Sequence, residues 1–97
     1  MAGITVVARM KARSGMEEQV KASLLALVGP SRSDAGCVSY DLHQSPEDEA
    51  LFLFYENWAS KEDLNRHLGK PHLRAFLERA DALLDEPVSI TFWDKIT

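Results

Sequence analysis

The stretch Leu51-Phe-Leu-Phe-Tyr-Glu-Asn-Trp58 is apolar or aromatic everywhere except at Glu56 and Asn57. A strand alternates its side chains between two faces, so Phe52, Phe54, Glu56 and Trp58 share one face and Leu51, Leu53, Tyr55 and Asn57 the other. A strand that is apolar on both faces must be covered on both. In a chain of 97 residues one set of helices can cover only one side of a sheet. The other side calls for a second copy, and a homodimer is expected. Size points the same way, because a chain this short buries only ~60–65% of its unfolded surface on its own.

The other segments supply the remaining elements. Ile4 to Lys11 alternates Ile4, Val6, Ala8 and Met10 against Thr5, Val7 and Arg9, a first strand. Ser14 followed by Glu17 reads as a capping box, and Met16, Val20, Leu24, Leu27 and Val28 then recur at helical spacing. That helix is expected to end near Gly29-Pro30, with a ragged extra turn through Ser33. Gly36 to Gln44 sets Val38, Tyr40 and Leu42 against Cys37, Ser39, Asp41 and His43, a second strand. After the Leu51–Trp58 strand, Ser60 and Asp63 open a short helix with Leu64, His67 and Leu68 inward, and Gly69-Lys70-Pro71 closes it. Pro71 suits the first position of a further helix with the stripe Leu73, Phe76, Leu77, Ala80, Leu83 and Leu84. Val88 to Ile96 alternates once more as the last strand. The order is the split βαβ plan of an α+β, ferredoxin-like sandwich: one domain over 1–97, with helices on one face of a four-stranded antiparallel sheet.

Several classes of function fall away. A net charge of −4 with both signs interspersed offers no field for a phosphate backbone, so nucleic-acid binding is not expected. The five glycines form no dinucleotide or phosphate loop, and no Gly-x-Ser-x-Gly or Cys-x-x-Cys is present. The single Cys37 has no internal disulfide partner, and no charged-then-apolar leader or long apolar run appears. A cytoplasmic chain with no membrane partner is expected. No window of similar length matches Glu56 to His72 in groups able to stack on a flat ligand or take its proton.

Gly15, Gly36-Cys37-Val38-Ser39-Tyr40, Glu56-x-Trp58, His67, Pro71-His72 and the helical run around Phe76 together resemble the antibiotic biosynthesis monooxygenase family. The resemblance implies a dimeric α+β barrel with a pocket between sheet and helices in each subunit. It also implies a quinol monooxygenase-like activity that needs no flavin, metal or haem. A small quinol or polyphenol, once deprotonated, reduces dioxygen itself, and the protein supplies an apolar slot, a base and exclusion of water. Family members acting on polyketides carry an asparagine where Phe54 stands, so a polyketide is not the expected substrate. The haem-degrading branch places its iron-ligating histidine near Leu77, so haem is not expected either. Other relatives with the His67 and Pro71-His72 spacing imply a different chemistry, isomerisation of a phosphorylated signalling sugar. A non-enzymatic small-ligand binding module is the third reading.

Each candidate residue has a functional and a structural reading. Trp58 and Phe54 are either walls of a flat pocket or strand-end core residues. His67 is either the base, aided or replaced by His72, or a buried imidazole that fixes the helix break. Tyr40 and Phe76 face the same space, whether as ligand contacts or as core. Glu56 is either a substrate contact or, structurally, one half of an ion pair with Arg9, Arg66 or Lys70, and the ion pair is expected. Cys37 and His43 are placed on the opposite face, toward the partner sheet, and neither is a nucleophile. No metal is expected, because the helix break between His67 and His72 removes the i,i+4 register of a two-histidine site.

Overall fold

The computed structural model describes residues 3–97. It contains β1 (Ile4–Lys11), α1 (Glu17–Arg32), β2 (Cys37–Gln44), β3 (Leu51–Trp58), α2 (Lys61–Leu68), α3 (Pro71–Leu83) and β4 (Ser89–Trp93). The sheet order is β2-β3-β1-β4, with every neighbouring pair antiparallel. This is the expected ferredoxin-like α+β sandwich, an open four-stranded sheet with all three helices on one face. None of the described helices is long and apolar enough to cross a membrane.

The core lies between that face and the helices. β1 contributes Val6, Ala8 and Met10, β3 contributes Phe52, Phe54 and Trp58, and Tyr40 comes from β2. They meet Val20, Leu24 and Leu27 of α1, Leu64 of α2, and Phe76 and Leu83 of α3. The register pairs Val6 with Glu56 and Ala8 with Phe54, so the apolar sets of two central strands stack on one face. The other face carries a polar ladder. Thr5 donates to Asn57 Oδ1 at 2.6 Å, and Asn57 Nδ2 donates to Ser39 Oγ at 3.0 Å.

Three local expectations need correction. Ser14 does not cap α1: Met16 occupies the cap without a side-chain bond, and Glu17 Oε1 accepts instead from the Gly15 amide at 3.0 Å. Gly15 sits at φ 89, a left-handed turn that carries Ser14 away from the first helical amides. α1 does take the expected extra turn, running through Pro30 to Arg32 with Ser33 as its cap. Its final turn closes by amide bonds from Ser33 to the Gly29 and Pro30 carbonyls. The second correction is a β-bulge between Cys37 and Ser39. One extra residue reverses the alternation at that point, so Val38 turns out to solvent while Cys37, opposite Trp58, packs on the core. The last strand is shorter than its alternating pattern, ending at Trp93.

Candidate functional site

The site is built where β2, β3 and α2 converge. Ser60 opens α2 as expected, its Oγ accepting the Asp63 amide at 3.1 Å. One helical face then carries Leu64 and His67 into the interior. His67 arrives over the end of β3, where its ring stacks on Trp58 at a centroid distance of 4.5 Å and 33°. Tyr40 meets the same imidazole edge-on at 5.4 Å and packs on Phe54 at 4.5 Å. His67 is therefore held between aromatic surfaces and has little rotational freedom.

Its orientation is set by a residue from a different part of the chain. His67 Nδ1 lies 2.9 Å from Oδ2 of Asp34, in the loop between α1 and β2. A carboxylate accepts, so Nδ1 carries the proton and Nε2 is left as the basic nitrogen. Gly36 makes this approach possible. It adopts φ +80, and a Cβ there would collide with the Asp63 carboxylate of α2. The loop bearing Asp34 can thus lie flat against α2. Burial pushes the His67 pKa down, against the opposing pull of its Asp34 hydrogen bond and charge. The net lowering favours the neutral imidazole, the form able to accept a proton.

Glu56 is the second unusual group. It is buried, and its Oε1 accepts from Trp58 Nε1 at 2.9 Å. Among the described residues the expected ion pair does not form: Arg9 lies near Glu86, Arg66 pairs with Asp63, and Lys70 lies near Asp34. Burial raises the Glu56 carboxyl to about 7, an effect only partly offset by the indole donor. Burial likewise raises the Tyr40 phenol and the Cys37 thiol, which leaves both protonated and weak as nucleophiles at neutral pH.

Between sheet and helices lies a cavity of about 50 Å³. Its polar lining consists of Tyr40, Glu56 and His67; the rest is apolar, including Phe54, Phe76, Leu73, Leu77 and Ile90. This volume holds a water or two, so a ring-sized ligand requires the lining to part. Leu77 of α3 and Ile90 of β4 line the cavity and are also exposed at the surface.

Of the sequence candidates, His67, Glu56, Tyr40, Phe54 and Phe76 converge on this cavity. Trp58 does not line it; it backs His67 and holds Glu56. His72 lies to one side, its Nε2 3.3 Å from Asp34 Oδ2. Asp34 itself carried no sequence signal. It lies 33 residues from His67 in a polar loop, and only the fold joins them.

Residues 3–79 match the family model described as antibiotic biosynthesis monooxygenase. Rv0793 of Mycobacterium tuberculosis, which is named provisionally as a monooxygenase, is 35% identical over 88 residues, 91% of this chain and 86% of that protein. Its solved structure matches with a TM-score of 0.93 over 99% of this chain and 97% of that one. The crystal structure of PA3566 from Pseudomonas aeruginosa matches with a TM-score of 0.94 and 36% identity, covering 100% of this chain and 97% of that chain. An uncharacterised Synechocystis protein, sll1783, is 30% identical over 90 residues, 93% of this chain; the match spans 61% of that protein's length.

Proposed function

The chain belongs to the antibiotic biosynthesis monooxygenase family, and on that premise we propose that it oxidises a small quinol or polyphenol with dioxygen, using no resident cofactor. The observation that carries this reading is the apolar cavity with one oriented imidazole, His67 held through Nδ1 by Asp34. His67 Nε2 takes a proton from a substrate hydroxyl, and the resulting quinolate passes an electron to dioxygen. Superoxide and semiquinone combine at a ring carbon, and loss of water from that peroxide leaves a hydroxyquinone with one oxygen retained. Apolar walls keep bulk water from the radical pair. Glu56, near neutrality in its titration, is the second group able to exchange a proton with a bound ring.

An oxygen electrode with menadiol tests this. Wild type consumes oxygen, and His67→Ala, shown folded by circular dichroism, loses roughly 10²–10⁴-fold, the usual contribution of a positioned base. Unchanged turnover in the variant removes His67 from the mechanism. A folded protein that binds quinone yet consumes no oxygen is a binding module. The phosphosugar reading has less support, because no lysine or arginine lines the cavity to meet a phosphate.

We also propose that two copies pair through the sheet face opposite the helices. Val38, Tyr55 and Trp93 are exposed there, and among the described residues no helix covers them. Sedimentation equilibrium should give twice the chain mass at micromolar concentration; a monomer would end this part of the reading.

A further inference from the structure

Asp34, His67 and His72 come from three separate elements, the α1–β2 loop, the end of α2 and the first turn of α3, yet each brings one donor atom to a common point. No two of these atoms lie farther apart than 4.8 Å. The helix break at Gly69–Pro71, which abolishes helical register, turns the second imidazole back until the ring centroids stand 6.0 Å apart. His67 Nδ1 and His72 Nε2 lie 2.9 and 3.3 Å from the same oxygen, Asp34 Oδ2. Donors ~2.1 Å from one tetrahedral ion stand about 3.4 Å from each other; the two contacts to Asp34 Oδ2, at 2.9 and 3.3 Å, already lie near that value, and the wider separation within the 4.8 Å limit must close by a movement of the His72 ring.

A second observation points to a ligand. His72 Nε2 is buried and has no hydrogen-bond partner; its contact with Asp34 Oδ2 lacks hydrogen-bond geometry. A buried imidazole nitrogen left unpaired is costly, and Asp34 Oδ2, 3.3 Å away, is already engaged by His67. An ion between the three atoms would satisfy both nitrogens and the carboxylate together. The remaining Asp34 oxygen lies 4.0 Å from Lys70 Nζ, which is free to stay there as an outer partner.

We propose that Asp34 Oδ2, His67 Nδ1 and His72 Nε2 form a site for a divalent transition-metal ion, Zn²⁺ being the best match, with a fourth position open to water. Two imidazoles and one carboxylate are a donor set suited to zinc and its neighbours in the first transition row. The site rests on geometry, but its consequence rests on the oxygenase reading. A metal on Nδ1 forces the proton of neutral His67 onto Nε2: one proton leaves Nδ1, one is taken up at Nε2, and none is released overall. The basic nitrogen becomes a donor. Filling the site therefore switches the base off, and the metal acts as an inhibitor.

Trp58 stacks on His67, so it reports occupancy. The full chain carrying Trp93→Phe, stripped with EDTA, is titrated with CoCl₂ while visible absorption and Trp58 fluorescence are followed. The expected result is one Co²⁺ per chain with ligand-field absorption, saturable quenching and displacement by Zn²⁺. His72→Ala and Asp34→Asn should each weaken binding by at least about tenfold. Absence of ligand-field absorption, or binding unchanged in folded His72→Ala, overturns the site. In a parallel oxygen-electrode assay, Zn²⁺ should suppress menadiol turnover and EDTA restore it. Metal binding by a protein that never consumes oxygen upholds the site and sinks the oxygenase reading. Turnover indifferent to saturating Zn²⁺ overturns the inhibitory role.

Discussion

The chain's two tryptophans end two strands on opposite faces of one sheet and make the same local bond. Trp58 Nε1 donates to Glu56, two residues back on β3, and Trp93 Nε1 donates to Thr91, two residues back on β4, both at 2.9 Å. Trp58 is 1% exposed under the helices, and Trp93 is 57% exposed on the uncovered face. Equal geometry thus has unequal consequences. Beneath the helices the indole holds a carboxyl whose titration burial has moved to about 7, beside an oriented imidazole. On the open face the bond competes with water and stabilises little. The chemistry of the site is a product of coverage, and the strand-end motif alone does not create it.

Truncation should separate the two faces most widely. Trp58→Ala removes a buried indole, leaves a cavity beside His67 and strips Glu56 of its donor; about 3–5 kcal/mol of stability should be lost. Trp93→Ala should cost well under half of that in dilute protein. Urea denaturation of both variants checks the contrast, and equal losses would break it.

Glu56→Gln comes next in size. Glu56 is raised from 4.5 to about 7 in the folded chain, so the native state holds this proton more tightly than the unfolded state does. Its contribution to stability therefore falls as pH climbs through that window, and the full penalty, on the order of 3 kcal/mol, is present above pH 7. Glutamine keeps an acceptor for the indole and cannot ionise. The variant should match wild type near pH 4.5 and exceed it increasingly toward pH 8. Parallel pH profiles would mean that Glu56 titrates normally.

The covered face was readable in sequence wherever local pattern decides the outcome. Period-two alternation in Ile4–Lys11 and Leu51–Trp58 gave the central strands, and Ser60 with Asp63 gave the start of α2. Where one residue breaks the period, pattern fails: the bulge at Cys37–Ser39 leaves the alternation looking intact while exchanging the faces of Cys37 and Val38. The aromatic lining of the site was legible because Tyr40, Phe54 and Phe76 lie on apolar stripes. Asp34 was not, since a loop carboxylate shows no partner until the fold sets it against α2. Glu56 lacks its expected cation for a related reason. Sequence supplies the basic residues without saying that Asp63, Glu86 and Asp34 stand nearer to them.

Thr91→Val probes the open face with the smallest expected effect. In a lone protomer, removing the Thr91 hydroxyl leaves Trp93 Nε1 to water, and valine suits a strand at least as well as threonine. The change should stay within about 0.5 kcal/mol. If a second copy covers this face, as proposed, water is excluded and the same indole N–H becomes a buried donor without an acceptor. The penalty should then rise to about 1–3 kcal/mol per protomer. Measured across protein concentration, the variant should therefore match wild type when dilute and fall behind as the dimer fills. A difference that stays near zero at every concentration would place Trp93 outside the interface, and the contrast between the two faces would then persist in the assembled protein.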